Sequence, residues 1–230
     1  MAREKGLEPL AKLIGQQHPN TDPYAAAAQY VDPEKEVEDV ESALQGARDI
    51  IAEWVNEDKE ARDRIRDLFF RKSTLTAKVI KGKEEEGAKY RDYFDWEERA
   101  DKIPSRRLLA IAQGEKELFL SMSIRPDEEE AFYRLDRQFV KGQGPCSEQV
   151  KEAVHDSYKR LMAPSMETEV RLATKQKADE EAIRVFVDNL RQLLMAAPLG
   201  EKAIMGIDPG FRTGGKVVCL DRQGNLLYQT

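Results

Sequence analysis

The sequence predicts a mainly α-helical fold: a multi-helical N-terminal region with a small β-ribbon, followed by an antiparallel β-meander. Three observations indicate this. Apolar residues recur at helical spacing from 33 to 197, the period changes to that of strands over 202–230, and the linker AAPLGEK (196–202) lies between them. We therefore expect a helical region over 1–200 and a β region over 201–230.

Composition and charge exclude several classes of function. The 230 residues carry 37 Lys and Arg against 43 Asp and Glu, a formal charge of -6, which argues against a broad basic surface that binds nucleic acid by phosphate neutralisation alone. Two cysteines, with no signal segment or membrane-length apolar run, favour a reducing cytoplasm. His18 and His155 lack Cys or acidic neighbours at ligand spacing, so we predict no metal site.

Two helices open the helical region. Asp32 followed by Pro33 predicts a helix start, because aspartate caps helices and proline suits their first turn. A second helix is predicted over 57–70, with buried positions Ala61, Ile65, Leu68 and Phe69. Its outward residues are Arg62, Arg64 and Arg66. Phosphate contact by these arginines is one interpretation; a solvated face balanced by Glu60, Asp63 and Asp67 is the preferred one.

Two short stretches of strand type follow, STLTAKVI (73–80) and ELFLSMSI (117–124), and we expect them to pair as a ribbon. The intervening segment 84–98 predicts a helix with aromatic residues on one side, Tyr90, Tyr93, Phe94 and Trp96. Aromatic residues beside Arg91 can stack on single-stranded bases. Burial in the core is the preferred interpretation, because the spacing fits a buried helical face.

The later helices are delimited by proline and glycine. Pro104 and Gly114 bound one helix, Pro126 and Gly142 another, and Pro145 begins a third that ends at a break before Pro164. The next helix, 165–197, is the longest. Its early apolar residues lie on a different face from its later ones, so we expect the two halves to pack on different partners. The early set is Met166, Val170 and Ala173; the later set is Ile183, Phe186, Val187, Leu190 and Leu194.

Three strands are predicted at the end of the sequence, over 202–208, 215–221 and 226–230, the last two joined by the hairpin loop RQGN. No helix follows to cover them. Because three uncovered strands do not complete a domain, we expect the β region to be incomplete.

The glycine-rich turn over 206–215 allows four interpretations. Gly210, Gly215 and Lys216 resemble a phosphate-binding P-loop, but Val217 replaces the required hydroxyl and a strand follows where a helix is needed. Asp208 suits the first strand of a ribonuclease H-like metal site, which needs further carboxylates. The hairpin also resembles that of actin-like ATPases and sugar kinases. For these residues alone, a tight turn without chemistry is the preferred interpretation.

Six stretches in order carry a family resemblance: AREKGLEPLA, GAKYRDYFDW, KIPSRRLLAIAQGEKE, APSMETEVR, EEAIRVFVDNLRQLLMAAPLG and GIDPGFRTGGKV. Together they resemble the central part of the Tex family, bacterial transcription accessory proteins related to eukaryotic elongation factors. The resemblance runs from Ala2 to Thr230. One position departs from the family pattern: Arg106 lies where histidine is expected, which bears on a surface contact.

The resemblance implies that 201–230 are the first strands of a YqgF domain, a RuvC-like ribonuclease H fold. It also implies helix-hairpin-helix elements and an OB-fold RNA-binding domain in the full-length protein. The chain is then expected to be a fragment that acts as a non-catalytic helical scaffold without a cofactor. The full-length parent is expected to bind RNA or single-stranded DNA in transcription, alongside the transcription machinery in the cytoplasm and not at a membrane.

Three residues form the candidate site. Asp208 marks the degenerate nuclease-like position, and Arg212 and Lys216 are the candidate nucleic-acid contacts; no catalytic or metal-binding residue is predicted. A rival hypothesis is a metal-dependent RuvC-type nuclease whose remaining acidic residues are missing from this chain. A third is a protein-docking module with no nucleic-acid role.

Overall fold

The computed structural model describes residues 2–210 and 214–230. Within them the chain is mainly helical, with two antiparallel sheets of three strands each. It divides into a first unit, Met1–Ala182, and a second unit, Ile183–Thr230. The coarse fold class is therefore confirmed, whereas the ribonuclease H-like assignment of the second sheet stays a prediction.

The elements are numbered in chain order. The helices are α1 (Glu8–Gly15), α2 (Pro23–Ala27), α3 (Val40–Glu57), α4 (Lys59–Lys72), α5 (Ser105–Lys116), α6 (Glu128–Phe139), α7 (Pro145–Asp156) and α8 (Ala163–Leu194). The strands are β1 (Thr74–Val79), β2 (Asp95–Arg99), β3 (Leu120–Arg125), β4 (Ile204–Pro209), β5 (Gly215–Leu220) and β6 (Leu226–Gln229). Helix α8 begins in the first unit and ends in the second.

The start of α3 differs from the prediction. Asp32 caps only a short 3₁₀ turn, which ends where Glu36 adopts a left-handed conformation with φ 57°. Asp32 and Val37 then exchange backbone hydrogen bonds of 2.9 and 3.0 Å. The cap of α3 is Asp39, whose carboxylate accepts from the Ser42 amide at 2.7 Å. Asp32 was the wrong cap because aspartate and proline start a 3₁₀ turn as readily as an α-helix.

The predicted helix over 57–70 is confirmed as α4. The predicted inward residues are all buried: Ala61, Ile65, Leu68 and Phe69. On the outer face, Arg64 pairs with Glu60 at 2.5 Å and Arg66 pairs with Asp63 at 2.8 Å. Arg64 and Arg66 therefore belong to the charge-balanced, solvated face that the sequence favoured, whereas Arg62 donates to the side chains of Asn56 and Ser165.

The first sheet has the order β2-β1-β3, and the predicted ribbon of β1 and β3 is confirmed. Strand β2 was not predicted. Instead of one helix over 84–98, the segment forms a 3₁₀ turn (Ala88–Tyr93) and then pairs with β1, Trp96 opposite Ala77. The helical prediction was wrong because the free edge of β1 offers backbone partners that local spacing does not reveal.

The aromatic residues of this segment belong to the core, as preferred. Tyr90 is buried, and Tyr93, Phe94 and Trp96 are half-buried against the core. The rings of Tyr93 and Trp96 pack edge to face, with centroids 5.8 Å apart. They are therefore occupied by packing within the first unit.

Gly114 was predicted to end its helix, but it lies inside α5. A Cβ atom on Gly114 would lie 2.7 Å from Cδ1 of Leu120, a side chain that is 1% exposed. Glycine is therefore needed at position 114 because β3 passes close to the helix.

The predicted break before Pro164 is also absent. A π-helical turn (Ser157–Met162) joins α7 directly to α8, so the missing amide hydrogen of Pro164 falls near a change of hydrogen-bonding pattern. The wider turn also shifts the buried face, because Met162 is buried after Tyr158, whereas Leu161 is half-buried. The sequence spacing of Val150, Val154 and Tyr158 predicts Leu161 as the next buried residue, which is wrong because the π turn brings Met162 inward instead.

Helix α8 carries two sets of apolar residues with different surroundings. Met166 and Val170 of the early set are buried, and Ala173 is exposed. The later set is 40–76% exposed: Ile183, Phe186, Val187, Leu190 and Leu194. Among the described residues, the later set therefore has no covering partner.

Side chains from α5 and α8 bind the outer edge of β3, the edge that faces away from β1. The Met122 amide donates to the Glu115 carboxylate at 3.2 Å, and the Met122 carbonyl accepts from the Arg171 guanidinium at 2.8 Å. Arg171 and Glu115 also form an ion pair with each other. The unpaired backbone groups of Met122 are thus satisfied without a fourth strand.

Glu167 of α8 completes this edge. Its carboxylate accepts from the Ile124 amide at 3.0 Å and from Nε of Arg125 at 2.7 Å. Burial acts to raise the pKa of Glu167, but the hydrogen bonds from Ile124 and Arg125 outweigh it, and the pKa lies below the ordinary value of 4.5. Glu167 is therefore a buried, ionised link between α8 and β3.

Replacing Gly114 by alanine is expected to destabilise the protein. The new methyl group would overlap the buried Leu120, a cost of about 1–3 kcal/mol, offset by at most about 1 kcal/mol of helix propensity. Chemical denaturation of Gly114→Ala should show a net loss. The control is Gly15→Ala, whose Cβ would lie 3.9 Å from Trp54 and should leave stability unchanged or slightly higher. Equal stability of the two variants would contradict the close approach.

Replacing Glu167 by glutamine is expected to lower the free energy of unfolding at pH 7 by about 1–3 kcal/mol, because Arg125 loses its charged acceptor. Since the folded-state pKa is depressed, the stabilisation is present above pH 4.5 and is lost as the pH falls through the folded-state pKa. The difference between wild type and Glu167→Gln should therefore narrow in acid. Chemical denaturation of both proteins at pH 7 and below pH 4 measures this difference in the free energy of unfolding.

Glu169→Gln provides a control on the same helix, because Glu169 pairs with Arg66 on the surface with its side chain 42% exposed. Its effect should stay below about 1 kcal/mol at both pH values. A loss for Glu167→Gln that is equally small, or that does not change with pH, would contradict the role of the buried carboxylate.

Candidate nucleic-acid interface

The candidate site lies on the hairpin of β4 and β5. Asp208 is directly opposite Lys216 in the antiparallel register, and both residues are exposed. The Gly210 amide donates to the Gly214 carbonyl at 2.8 Å and closes the turn. Directly opposed residues share one face of a sheet, so the aspartate and the lysine lie side by side in solvent.

Arg212, the third candidate, lies outside the described residues. The structure therefore brings together two of the three candidates, Asp208 and Lys216. Among the described residues, neither side chain hydrogen-bonds to a third group, so there the backbone register of the hairpin positions both.

The geometry contradicts a P-loop at this turn. A P-loop directs a helix N-terminus at the phosphate, whereas Gly215 and Lys216 begin β5, which continues as strand to Leu220. Within residues 2–210 and 214–230, no group of three or more His, Cys, Asp or Glu side chains is placed to hold a metal ion.

The predicted β-meander is confirmed as the sheet β4-β5-β6. Its second turn is built on Asp221, whose Oδ1 accepts from the amides of Gln223 at 2.9 Å and Asn225 at 2.8 Å. The hydrogen bond from the Asn225 side chain, together with these amides, holds the pKa of Asp221 below its ordinary value. Gly224 takes φ 84°, a conformation that favours glycine.

His155 has an acidic neighbour that the sequence did not reveal. Its imidazole stacks on the Phe132 ring, with centroids 3.9 Å apart, and its Nε2 lies 3.1 Å from the Asp136 carboxylate. Both partners come from α6, and the contact depends on how α6 packs on α7. The pair links two helices, and among the described residues it belongs to no group of three His, Cys, Asp or Glu side chains that could hold a metal ion.

The two thiols are free and differently placed. Cys146 is buried, where its thiol donates to the Thr21 carbonyl at 3.4 Å, and burial raises its pKa. Cys219 is half-buried in the second unit. Burial and the raised pKa make Cys146 a weak nucleophile.

Charge is divided unevenly between the two units. Residues 183–230 carry six Lys and Arg against four Asp and Glu, which leaves thirty-one against thirty-nine in residues 1–182. The acidic excess of the chain therefore lies in the first unit, and the unit that contains Lys216 is weakly basic.

The sequence profile of the family described as "Tex central region-like" matches residues 18–186. The chain belongs to the Tex family. Protein YhgF of Escherichia coli is 40% identical over 237 residues, and the Transcriptional accessory protein Tex of Neisseria gonorrhoeae is 35% identical over 235 residues. A human relative, S1 RNA-binding domain-containing protein 1, is 26% identical over 243 residues.

These alignments cover 99% of the Tex-family chain but only 30% of each bacterial relative and 24% of the human one. The chain thus spans less than a third of the length of these relatives. Among its described residues, no helix is both long enough and apolar enough to span a membrane.

Proposed function

We propose that this chain is a helical scaffold within a Tex-like transcription accessory protein, and that the whole protein binds RNA or single-stranded DNA in transcription. The observation that carries the proposal is the alignment of 99% of the chain with a relative named for transcription and with another named for RNA binding. The proposal includes a cytoplasmic location and contact with the transcription machinery.

The distribution of charge supports a scaffold role for the first unit. It carries the acidic excess, and Arg64 and Arg66 on its α4 helix are ion-paired within that helix. Phosphate contact is stronger from cations that no carboxylate neutralises. We therefore assign the phosphate contact of the hairpin to Lys216 and Arg212, in the weakly basic second unit.

We further propose that the domain boundary lies near residue 200 and that β4, β5 and β6 are the first strands of a ribonuclease H-like YqgF domain. Their antiparallel meander and the position of Asp208 near the end of β4 support this assignment. We propose that the rest of that domain lies in the longer protein.

We propose that the chain has no catalytic activity. Two-metal cleavage of a phosphodiester needs several carboxylates around the ions. Asp208 instead lies opposite Lys216, whose ammonium group favours phosphate over a divalent cation at this position. The rival hypothesis, a RuvC-type nuclease, needs further acids to meet Asp208.

Lys216 is tested in the whole Tex-family protein that contains this sequence. Lys216→Gln should weaken binding of single-stranded RNA uniformly across sequences and lower the salt slope by about 1, because one phosphate contact is lost. Filter binding at several salt concentrations measures the slope. Lys81→Gln, an exposed lysine of the first unit, is the control and should leave it unchanged. A whole protein without salt-dependent binding would contradict the function and favour a protein-docking module.

The absence of catalysis is tested by incubating the same protein with branched and single-stranded substrates and Mg²⁺. We expect no cleavage, by wild type or by Asp208→Asn. Cleavage by wild type that disappears in Asp208→Asn would contradict the proposal and establish the nuclease.

A further inference from the structure

A cleft of about 540 Å³ lies between α4 and α6 in the first unit, apart from the β4–β5 hairpin. Its lining residues are Arg64, Tyr133, Arg134, Arg137 and Gln138. Three of these five carry a guanidinium group and none carries a carboxylate. In a unit with an excess of acids, this lining forms a local concentration of positive charge, which we call the arginine cleft.

Of the three arginines of the cleft, Arg137 is the most available to an anion. Among the described residues, no carboxylate lies within ion-pair distance of Arg137. Arg64 pairs with Glu60 at 2.5 Å and Arg134 with Glu130 at 2.6 Å, each four residues earlier on its own helix. The Arg64–Glu60 pair is exposed, and such pairs contribute about 0.3–0.5 kcal/mol, so a phosphate can replace Glu60 at little cost. The Arg134–Glu130 pair is half-buried and is left in place.

Tyr133 gives the cleft a flat apolar surface. The residue is 62% exposed, and the guanidinium of Arg137 lies 5.7 Å from the centroid of its ring. This ring differs from the half-buried aromatic residues near β2, because its exposed area remains open to a ligand. A ring next to a guanidinium is a common platform for a nucleic-acid base.

Gln138 fixes the position of the Arg64 side chain in the cleft. Its side-chain oxygen accepts from Arg64 at 3.3 Å, while its amide group donates to the Asp58 carboxylate at 2.9 Å. Asp58 is itself fixed as the cap of α4 through the Ala61 amide, at 2.7 Å. The guanidinium of Arg64 is therefore held at the border between α4 and α6 by a chain of hydrogen bonds that ends at the backbone.

We propose that the arginine cleft binds single-stranded nucleic acid, with a base stacked on Tyr133 and the adjacent phosphates bound by Arg137 and Arg64. Guanidinium groups match phosphate geometry, and the exposed ring accounts for a base, which an acidic peptide does not supply. The inference deepens the proposed function by adding a contact in the first unit, and it does not depend on Lys216.

The test uses the 230-residue chain and a 5′-fluorescein-labelled oligouridylate of about ten nucleotides, a length within the range of single-strand sites. Fluorescence anisotropy at low salt should show binding. Tyr133→Ala and Arg137→Gln should each weaken it about tenfold, as expected for loss of one stacked base or one phosphate contact. Tyr133→Phe keeps the ring and should bind like wild type.

The controls are Tyr24→Ala and Arg91→Ala, an exposed tyrosine and an exposed arginine elsewhere in the first unit, which should not change binding. Thermal unfolding confirms that each variant is folded. Unchanged binding by Tyr133→Ala and Arg137→Gln, no binding by the wild-type chain, or equally tight binding of a polyglutamate peptide would overturn the inference. None of these outcomes would contradict the proposed function of the whole protein, which the salt titration of Lys216→Gln tests separately.

Discussion

The first unit depends on how charged side chains satisfy the outer edge of β3. A three-stranded sheet leaves backbone groups unpaired at its edges, and unpaired groups are costly once covered. Glu115, Arg171 and Glu167 hydrogen-bond to the backbone of Met122 and Ile124. Helices α5 and α8 can therefore pack over this edge without leaving these backbone groups unpaired. The same bonds fix α8 against the sheet, and Gly114 allows β3 to approach α5 at close range.

Much of the fold follows from local pattern, because the elements that the sequence predicted correctly carry their own signals. Helix α4 has a buried stripe and intrahelical ion pairs, and the hairpin loop of β5 and β6 has Asp221 and Gly224 at the required positions. The errors occur where a distant partner decides the structure, or where one local signal fits two structures. Strand β2 exists because β1 has a free edge, and the π turn before Pro164 keeps α7 and α8 continuous, which the proline alone argues against.

The candidate sites show the same division. Sequence reasoning places Asp208 and Lys216 at the two ends of one glycine-rich turn, and the strand register of the structure brings them opposite each other. The arginine cleft could not be found in this way, since Arg64 and Tyr133 are far apart in the chain and meet only where α4 packs beside α6. Taken alone, the sequence of each helix predicts a solvated, charge-balanced outer face. Together they leave Arg137 without a carboxylate partner among the described residues and Tyr133 open to solvent.

Backbone amide exchange tests the central claim, that side chains satisfy the outer edge of β3 as a neighbouring strand would. The amides of Met122 and Ile124 should exchange with deuterium as slowly as those of β1, the central strand, because each donates to a fixed carboxylate. Residue-resolved NMR measures these rates. Exchange of both amides at the rate of solvent-exposed positions would contradict the account.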